Sequence, residues 1–381
     1  MLDPKTKFKL FKQNKIFCSA PWNLLYVATN GTVKTCAHGN TYGDLKQNRV
    51  EEIVSNHKYK SLREDILKDR ITSNCRRCLS FENVTNAGQF DSLRNLYNEL
   101  NIESSVDYTN AEQFKLTALD LHWSSVCNLK CITCWHGQSS SIAREQNMPV
   151  KHTPPAVADK LIDYIVSNQT ELREIYLSGG EPTLIKYNLK LLRLLEKNSN
   201  LSLRVNTNLQ WDTSNSIIQE ILKFPNVLFT CSIDGIGDKF NYIRRGANWD
   251  RTIKNLEFLK AQSNVKLRVN TVFFVLTGQE LPDIIDYFME DFGVMDCTIN
   301  QIEMGHDDLR CRNYTPDIKS IVRSRIERCF DKYVNHLNIS GNLKNCLNEL
   351  EQNATDSYKN YLDHIDSLQG TDWNKLWPEL L

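Results

Sequence analysis

The chain lacks the features of a membrane-spanning or exported protein. No run of about 20 apolar residues, the length of a transmembrane helix, occurs in the sequence. The N-terminus has no apolar segment of the kind that a secretory signal requires. We therefore expect a cytoplasmic protein with no membrane partner, in a compartment where structural disulfides are rare.

The sequence also lacks an excess of charge of either sign. Lysine plus arginine and aspartate plus glutamate number 46 each, so the formal net charge is zero. Nucleic-acid binding depends largely on an excess of basic residues, and we expect no nucleic-acid partner. Hydrophobic residues make up 41% of the 381 residues and charged residues 24%, an ordinary composition for a globular protein.

Cysteine, in contrast, is abundant. The chain has 12 cysteines, and in a reducing compartment their clusters indicate metal binding or catalysis. Two groups have the spacing of metal ligands: Cys127, Cys131 and Cys134, and Cys18, Cys36, Cys75 and Cys78. The other five show no such spacing. Cys231 and Cys297 lie in strand-like segments and are predicted to be small core residues, and three others are predicted to be plain thiols: Cys311, Cys329 and Cys346.

Strand-like and helix-like segments alternate through the middle of the chain. Strands are predicted at 116–122, 173–177, 201–206, 227–233, 265–275 and 296–302. Helices are predicted between them, at 154–167, 184–197, 214–222, 249–261 and 281–292. Such alternation predicts βαβ units, a parallel sheet and an open or closed barrel. Functional residues are then expected at the C-terminal ends of the strands.

The two ends of the chain have a different character. A β-hairpin is predicted from strand-like residues 23–28 and 32–36, which flank the turn Asn30-Gly31. Helix-favouring segments follow at 59–68 and 85–100, and the chain is mostly helical after about residue 315. We expect an N-terminal domain at 1–110, a core at 111–305 and a helical extension at 306–381.

The segment from Cys127 to Cys134 carries the strongest signal. Three thiolates on an eight-residue loop can wrap one corner of a cubane iron–sulfur cluster, and three ligands leave the fourth iron open. A structural zinc site closes with four protein ligands, so zinc would need His122 or His136 as the fourth.

This CxxxCxxC motif, directly after a first strand, resembles the signature of the radical S-adenosylmethionine (SAM) superfamily. The resemblance extends from Leu116 to Ile302 and implies an α/β fold with a partial (β/α)6 barrel. It implies that Cys127, Cys131 and Cys134 hold a [4Fe–4S] cluster whose open iron binds SAM. One position departs from the family pattern, because Thr133 stands where an aromatic residue is usual and Trp135 follows Cys134.

The resemblance also implies a reaction. An electron donor such as flavodoxin or ferredoxin would reduce the cluster, and SAM would be cleaved to methionine and a 5′-deoxyadenosyl radical. The radical would abstract a hydrogen atom from an organic substrate. In such enzymes the protein supplies binding and orientation.

The segment Gly179-Gly180-Glu181-Pro182 follows the second predicted strand of the core. Two glycines let a ligand approach the backbone closely, Glu181 can accept from a cationic group, and Pro182 starts the next helix. Alone, these residues also suit an ordinary strand-to-helix turn. They resemble the family's glycine-rich motif, which implies that they hold the SAM amino group.

Polar residues also end the next two predicted strands. By resemblance, Asn208 or Ser232 would contact the ribose and methionyl part of SAM, and Arg244 or Arg245 would pair with its carboxylate. The alternative is a pair of turns and a surface arginine. Asp234 is either a turn residue or a ligand.

The N-terminal cysteines form a second candidate metal site. Cys18, Gly31 and Cys36 are followed after a gap by Cys75-Arg-Arg-Cys78, and four thiolates suit zinc and iron equally well. The pattern resembles the twitch domain, a shorter relative of the SPASM domain, placed here before the barrel. The resemblance implies a fully ligated auxiliary [4Fe–4S] cluster, which either passes electrons or is structural.

The predicted function is therefore that of a radical SAM enzyme. Its substrate would be a peptide or protein side chain, which we favour, or a small sugar-like or nucleotide metabolite. The alternative is a non-catalytic metal-binding scaffold or partner-binding protein. Such a scaffold has no use for the SAM pocket that Gly179-Gly180-Glu181-Pro182 and Ser232-Ile-Asp-Gly predict.

Overall fold

A nine-stranded sheet organises the chain. The structure, a computed structural model, describes residues 11, 16–73, 75–84, 92–102, 104–294, 296–302, 306–354 and 357–380. Within them the strand order is β3-β2-β1-β4-β5-β6-β7-β8-β9. The strands are β1 Leu24–Val27, β2 Thr32–Lys34, β3 Thr41–Asp44, β4 Ala118–Leu121, β5 Glu174–Leu177, β6 Ser202–Thr207, β7 Asn226–Ser232, β8 Val265–Phe273 and β9 Asp296–Gln301.

The last six strands are parallel, and neighbours along the chain are neighbours in the sheet. They coincide with the six strands predicted from the alternating pattern. Because the sheet is open, it is a partial barrel of the predicted α/β class. Every β4–β9 strand runs in the same direction, so their C-terminal ends meet along one edge.

Helices cover one face of the parallel strands. Those of the core are Ser140–Glu145, Pro155–Ser167, Lys186–Leu194, Ser216–Ile221, Gly237–Ile243, Trp249–Lys260 and Leu281–Asp286. The helix Pro155–Ser167 shows why they form, since its buried residues recur at helical spacing: Ala158, Leu161, Ile162 and Ile165. The α-helix predicted at 281–292 ends at Asp286, and a π-helical turn, Tyr287–Asp291, follows it directly.

The N-terminal hairpin extends the same sheet. β1 and β2 are antiparallel around Gly31, whose φ is +84°, and this confirms the predicted hairpin. β1 also pairs in parallel with β4, a pairing that the sequence did not indicate, and this places Tyr26 opposite Asp120. Hydrogen bonds therefore join the segment before residue 110 to the first strand of the core. The three domain boundaries remain a prediction.

Short helices make up the remainder of the N-terminal segment. They are Ala20–Asn23, Val50–Val54, His57–Leu67, Arg76–Val84 and Leu93–Leu100. The helix predicted at 59–68 is present, and of the one predicted at 85–100 the part 85–91 lies outside the described residues.

The C-terminal region is helical, as predicted. Its helices are Pro316–Lys332, Leu337–Leu350, Lys359–Gln369 and Trp373–Leu376. Trp373 and Trp377 are both buried, and the Trp377 ring lies 5.3 Å from that of Tyr242 in the core. Among the described helices none has the length and apolarity needed to cross a membrane.

Two leucine substitutions test how far the sheet depends on its helix-covered face. Leu203 in β6 is fully buried, whereas Leu194 is 49% exposed. We expect Leu203→Ala to lower the free energy of unfolding by about 2–5 kcal/mol, because it leaves a cavity. Leu194→Ala should change it by about 0.5 kcal/mol or less. Urea unfolding followed by circular dichroism measures both, and equal effects would contradict this packing.

Candidate functional site

The cysteine loop follows β4 at the C-terminal edge of the sheet. Its backbone is tied to the segment after helix Gly237–Ile243, because Lys130 N–H donates to Arg245 O and Ile132 N–H to Ile243 O, both at 2.9 Å. These two bonds act like a short strand pair and fix the middle of the loop.

Serine hydroxyls at the start of the next helix hold the ends of the loop. Ser139 Oγ donates to Leu129 O at 2.6 Å, and Ser141 Oγ donates to Cys127 O at 2.8 Å. Cys127 N–H in turn donates to Ser140 Oγ at 3.1 Å. The shape of the loop is therefore set by bonds within the chain.

The three thiols of the loop suit a metal centre. Burial first, and then the neighbouring Cys131 thiolate, raise the pKa of Cys127 and Cys134 to about 12. The pKa of Cys131 is raised by burial too, while the Arg244 guanidinium opposes the shift. Since thiolates this close repel one another, a bound cation is what would let all three ionise. The donor set and its charge thus fit an iron–sulfur cluster.

Both candidate arginines have acidic partners within the chain. Arg244 Nη2 lies 2.8 Å from Asp234 Oδ2, and its Nη1 lies 3.9 Å from Cys131 Sγ. Arg245 makes a bidentate pair with Glu145 at 3.0 and 2.8 Å. A role for either arginine toward the SAM carboxylate remains a prediction, and that carboxylate would have to share the guanidinium.

The Asp234 carboxylate has a structural role that its turn-like sequence did not reveal. It is fully buried, and besides Arg244 it accepts from Val272 N–H at 2.8 Å. It thus connects the ends of β7 and β8 to the arginine beside the cysteine loop.

The glycine turn lies directly against the start of the cysteine loop. Gly180 N–H donates to Ser124 O at 3.0 Å, and Glu181 N–H to Val126 O at 2.7 Å. A Cβ atom on Gly180 would lie 2.2 Å from Val126 O, and one on Gly179, whose φ is +110°, would lie 2.7 Å from Ser124 O. Close approach of the protein's own backbone is thus one reason for these glycines.

The Glu181 carboxylate connects two strand ends. It accepts from Asn208 N–H at 2.7 Å, from Thr207 Oγ1 at 3.0 Å, and from Thr183 Oγ1 and N–H at 2.8 and 3.2 Å. Burial raises its pKa, and these hydrogen bonds oppose the shift. Pro182 opens the 3₁₀ turn Pro182–Leu184 that leads to the next helix. The predicted acceptor thus binds groups of the chain itself.

Asn208 and Ser232 lie where the sequence placed them, at the ends of β6 and β7. Asn208 Nδ2 lies 3.8 Å from Cys127 Sγ and donates to Asn128 Oδ1 at 2.8 Å. Ser232 Oγ donates to Asn206 Oδ1 at 3.3 Å. The structure therefore brings Asn208 against the cysteine loop, while contacts of both residues with SAM remain predictions.

A polar face of the sheet, opposite the helices, adds residues that the sequence analysis did not assign to it. His122 Nε2 lies 2.8 Å from Asp120 Oδ1, and the His122 ring stacks on Tyr26 at 4.8 Å. Beyond them the Arg204 guanidinium lies 4.5 Å from the Tyr176 ring centre. The period-two alternation of Asp120 and His122 on β4 is the signal by which the sequence could have shown this face.

A cavity of about 570 Å³ lies on another side of the cysteine loop, between the loop and helix Lys359–Gln369. Its lining contains two of the three thiols and three histidines, namely Cys131, Cys134, His136, His306 and His364. Asn208, Ser232 and Glu181 are not among the residues that line it.

The four N-terminal thiols also come together. Burial raises the pKa of Cys18 well above its usual range, and the thiolates of Cys75, Cys36 and Cys78 raise it further. Burial likewise raises the pKa of Cys36 to about 12, with Cys78 adding to the shift. The structure thus unites cysteines that are up to 60 residues apart in sequence, and four thiols fit a fully ligated cluster.

The geometry of neither thiol group is that of a mononuclear site. Within the described ranges, no three His, Cys, Asp or Glu side chains converge as ligands of one metal ion. In a cubane each thiolate binds a different iron atom, so its ligands need not converge in that way.

Comparison with known proteins adds two family matches. Residues 121–288 match the model of the radical SAM superfamily, and residues 18–79 match that of SPASM, an iron–sulfur cluster-binding domain. Residues 121–288 therefore correspond to a radical SAM domain, and a SPASM-type domain lies on its N-terminal side. A radical SAM domain implies a [4Fe–4S] cluster and SAM, and a SPASM domain implies auxiliary iron–sulfur binding.

Among solved structures, native anSMEcpe with bound AdoMet is 19% identical, with a TM-score of 0.44 over 58% of this chain and 62% of that one. The match thus spans less than two thirds of that protein. Streptococcus suis SuiB bound to S-adenosylmethionine is 17% identical, with a TM-score of 0.43 over 82% and 69%. SuiB bound to its precursor peptide SuiA is 15% identical, with a TM-score of 0.41 over 83% and 69%. Curated proteins gave no match.

A Gly180→Ala variant tests the contact between the glycine turn and the cysteine loop. The added methyl group would lie 2.2 Å from Val126 O, so the loop has to move. We expect this variant to bind about half of the wild-type iron, because one of two clusters is affected. Gly370→Ala is the control for a glycine change away from the loop, since its Cβ atom meets nothing within 4 Å and only its φ of +66° strains the backbone. Full iron content in Gly180→Ala would show that cluster binding by the cysteine loop does not depend on its contact with the glycine turn.

Proposed function

We propose that Cys127, Cys131 and Cys134 hold a catalytic [4Fe–4S] cluster whose open iron binds SAM at the C-terminal edge of the sheet. One observation carries the proposal. The three thiols share a loop that has a polar strand-end group on one side and a cation on the other. Asn208 Nδ2 lies 3.8 Å from Cys127 Sγ, and Arg244 Nη1 lies 3.9 Å from Cys131 Sγ. When bound, the cluster and SAM supply a 5′-deoxyadenosyl radical that abstracts a hydrogen atom from substrate.

The residues of the chain would then orient the reactants. Glu181 holds the ends of β5 and β6 in register with its buried carboxylate, so that Asn208 faces the loop. Arg244 offsets the negative charge of the thiolates, and Asp234 fixes its guanidinium. A rigid arrangement of this kind limits side reactions of a radical by keeping its position constant.

We assign the substrate to the polar face of the sheet. The face offers an imidazole, phenols and amides beside the strand ends where SAM would bind, for example His122, Tyr176 and Asn206. Such groups hydrogen-bond equally to a peptide backbone and to the hydroxyl groups of a sugar or nucleoside. Both predicted substrate classes, a peptide or protein side chain and a small metabolite, therefore stay in the proposal.

We also propose that Cys18, Cys36, Cys75 and Cys78 hold an auxiliary [4Fe–4S] cluster with four protein ligands. The mutual effect of their thiolates on the pKa of Cys18 supports a shared site. With no open iron, such a cluster either accepts an electron from the substrate or only stabilises the fold. Its position beside β1 puts Cys36 near Tyr26, whose pKa is raised by burial first and also by Cys36.

Iron content and SAM cleavage test the proposal directly. Anaerobic reconstitution should give about eight iron atoms per chain, and Cys127, Cys131 and Cys134 changed together to Ala should leave about four. With a strong reductant, wild-type protein should release 5′-deoxyadenosine slowly without substrate, and each single Cys→Ala change in the loop should abolish the release. Cleavage that persists in those variants would refute the catalytic assignment, and zinc in place of iron would support a scaffold.

Electron paramagnetic resonance distinguishes the two clusters by their ligand number. In the triple variant of the loop cysteines, the remaining reduced cluster should have a signal that SAM does not change, because all its iron atoms have protein ligands. In Cys75→Ala, Cys78→Ala, the remaining signal should still shift with SAM. A SAM-dependent shift in the first variant would mean that the roles of the clusters are reversed.

A further inference from the structure

The C-terminal region reaches back to the outer side of the cysteine loop. Tyr361 Oη donates to Ile132 O at 3.3 Å, although 229 residues separate the two. His306 Nε2 lies 3.3 Å from Cys134 O, and a carbonyl can only accept, so this nitrogen carries the proton. The two rings contact each other edge to face, with centroids 5.5 Å apart. Together Tyr361 and His306 form a bracket on two carbonyls of the loop.

The helix that carries Tyr361 is itself held against the core. Tyr242 Oη donates to Asp366 Oδ1 at 2.9 Å, which fixes helix Lys359–Gln369 against helix Gly237–Ile243. The end of that same core helix accepts from Ile132 N–H at 2.9 Å. Ile132, between the second and third cysteines, is therefore held through its N–H from the core and through its C=O from the C-terminal region.

Tyr361 and His306 also border the cavity beside Cys131 and Cys134. The polar strand-end residues do not line this cavity, whereas Arg245, one of the two candidates for the SAM carboxylate, does. The cavity therefore offers the loop a second environment beside the strand ends. The potential of an iron–sulfur cluster depends on net charge, hydrogen bonds to its sulfurs and solvent exposure. Tyr361 and His306 bond to backbone carbonyls, so they would act through their dipoles on the loop and by limiting its exposure to solvent.

The direction of the effect follows from simple electrostatics. A reduced cluster carries one more negative charge than an oxidised one. O–H and N–H dipoles that donate to loop carbonyls point their positive ends toward the loop, and this stabilises the added charge. Removing such a donor makes reduction harder.

We infer that Tyr361 and His306 are positioning residues that raise the reduction potential of the catalytic cluster through the carbonyls of Ile132 and Cys134. The inference rests on the proposed function, since it requires a cluster on this loop. It assigns to the helical C-terminal region a part in controlling when the catalytic cluster accepts its electron.

A reductive titration followed by electron paramagnetic resonance tests the inference. Tyr361→Phe removes one hydroxyl group and should lower the potential of the catalytic cluster, while that of the N-terminal cluster stays at the wild-type value. Tyr358→Phe is the matched control, because its hydroxyl, on the residue that precedes the same helix, donates to Leu380 O at 3.1 Å, away from the loop. It should leave both potentials unchanged.

A second pair of variants keeps the test independent of any folding defect in the first. His306→Gln retains an N–H donor and should stay near the wild-type potential, whereas His306→Leu should lower it. Unchanged potentials in Tyr361→Phe and His306→Leu, or equal shifts of both clusters, would overturn the inference. Absence of a SAM-responsive cluster from the wild-type protein would instead overturn the proposed function, so the two failures are distinguishable.

Discussion

The contact between the glycine turn and the start of the cysteine loop is the constraint on which the rest of the site depends. Two backbone hydrogen bonds join Gly180 and Glu181 to Ser124 and Val126, at a distance that leaves no room for a Cβ atom. Because Glu181 also accepts from the end of β6, this contact positions both the loop and Asn208. A shift here would move the thiols relative to every strand end.

Buried charge is the second constraint. Arg244 and Arg245 are both less than 10% exposed, and a buried cation needs a partner within the protein. Asp234 and Glu145 meet that need and fix where the two guanidinium groups point. The arginine beside the thiols is therefore rigid before any ligand binds, and such preorganisation favours electrostatic stabilisation of a bound group.

The N-terminal hairpin joins the segment that carries the N-terminal thiols to the sheet that carries the cysteine loop. Pairing of β1 with β4 places Tyr26 opposite Asp120, and Tyr26 stacks on His122. Since Tyr26 pairs with Lys34, two residues before Cys36, this N-terminal thiol lies near the polar face that also ends at the cysteine loop. Parallel pairing, rather than a flexible linker, therefore sets how the SPASM-type domain meets the core.

The sequence by itself determined the features that depend on neighbouring residues. The six parallel strands follow from local periodicity, and the spacing of Cys127, Cys131 and Cys134 indicated the radical SAM domain. Only the tertiary structure decided which distant groups meet: β1 with β4, Arg245 with Glu145, and Tyr361 with Ile132. The physical reason is that these contacts join segments as many as 229 residues apart, and no local pattern records which partner completes a buried hydrogen bond or ion pair.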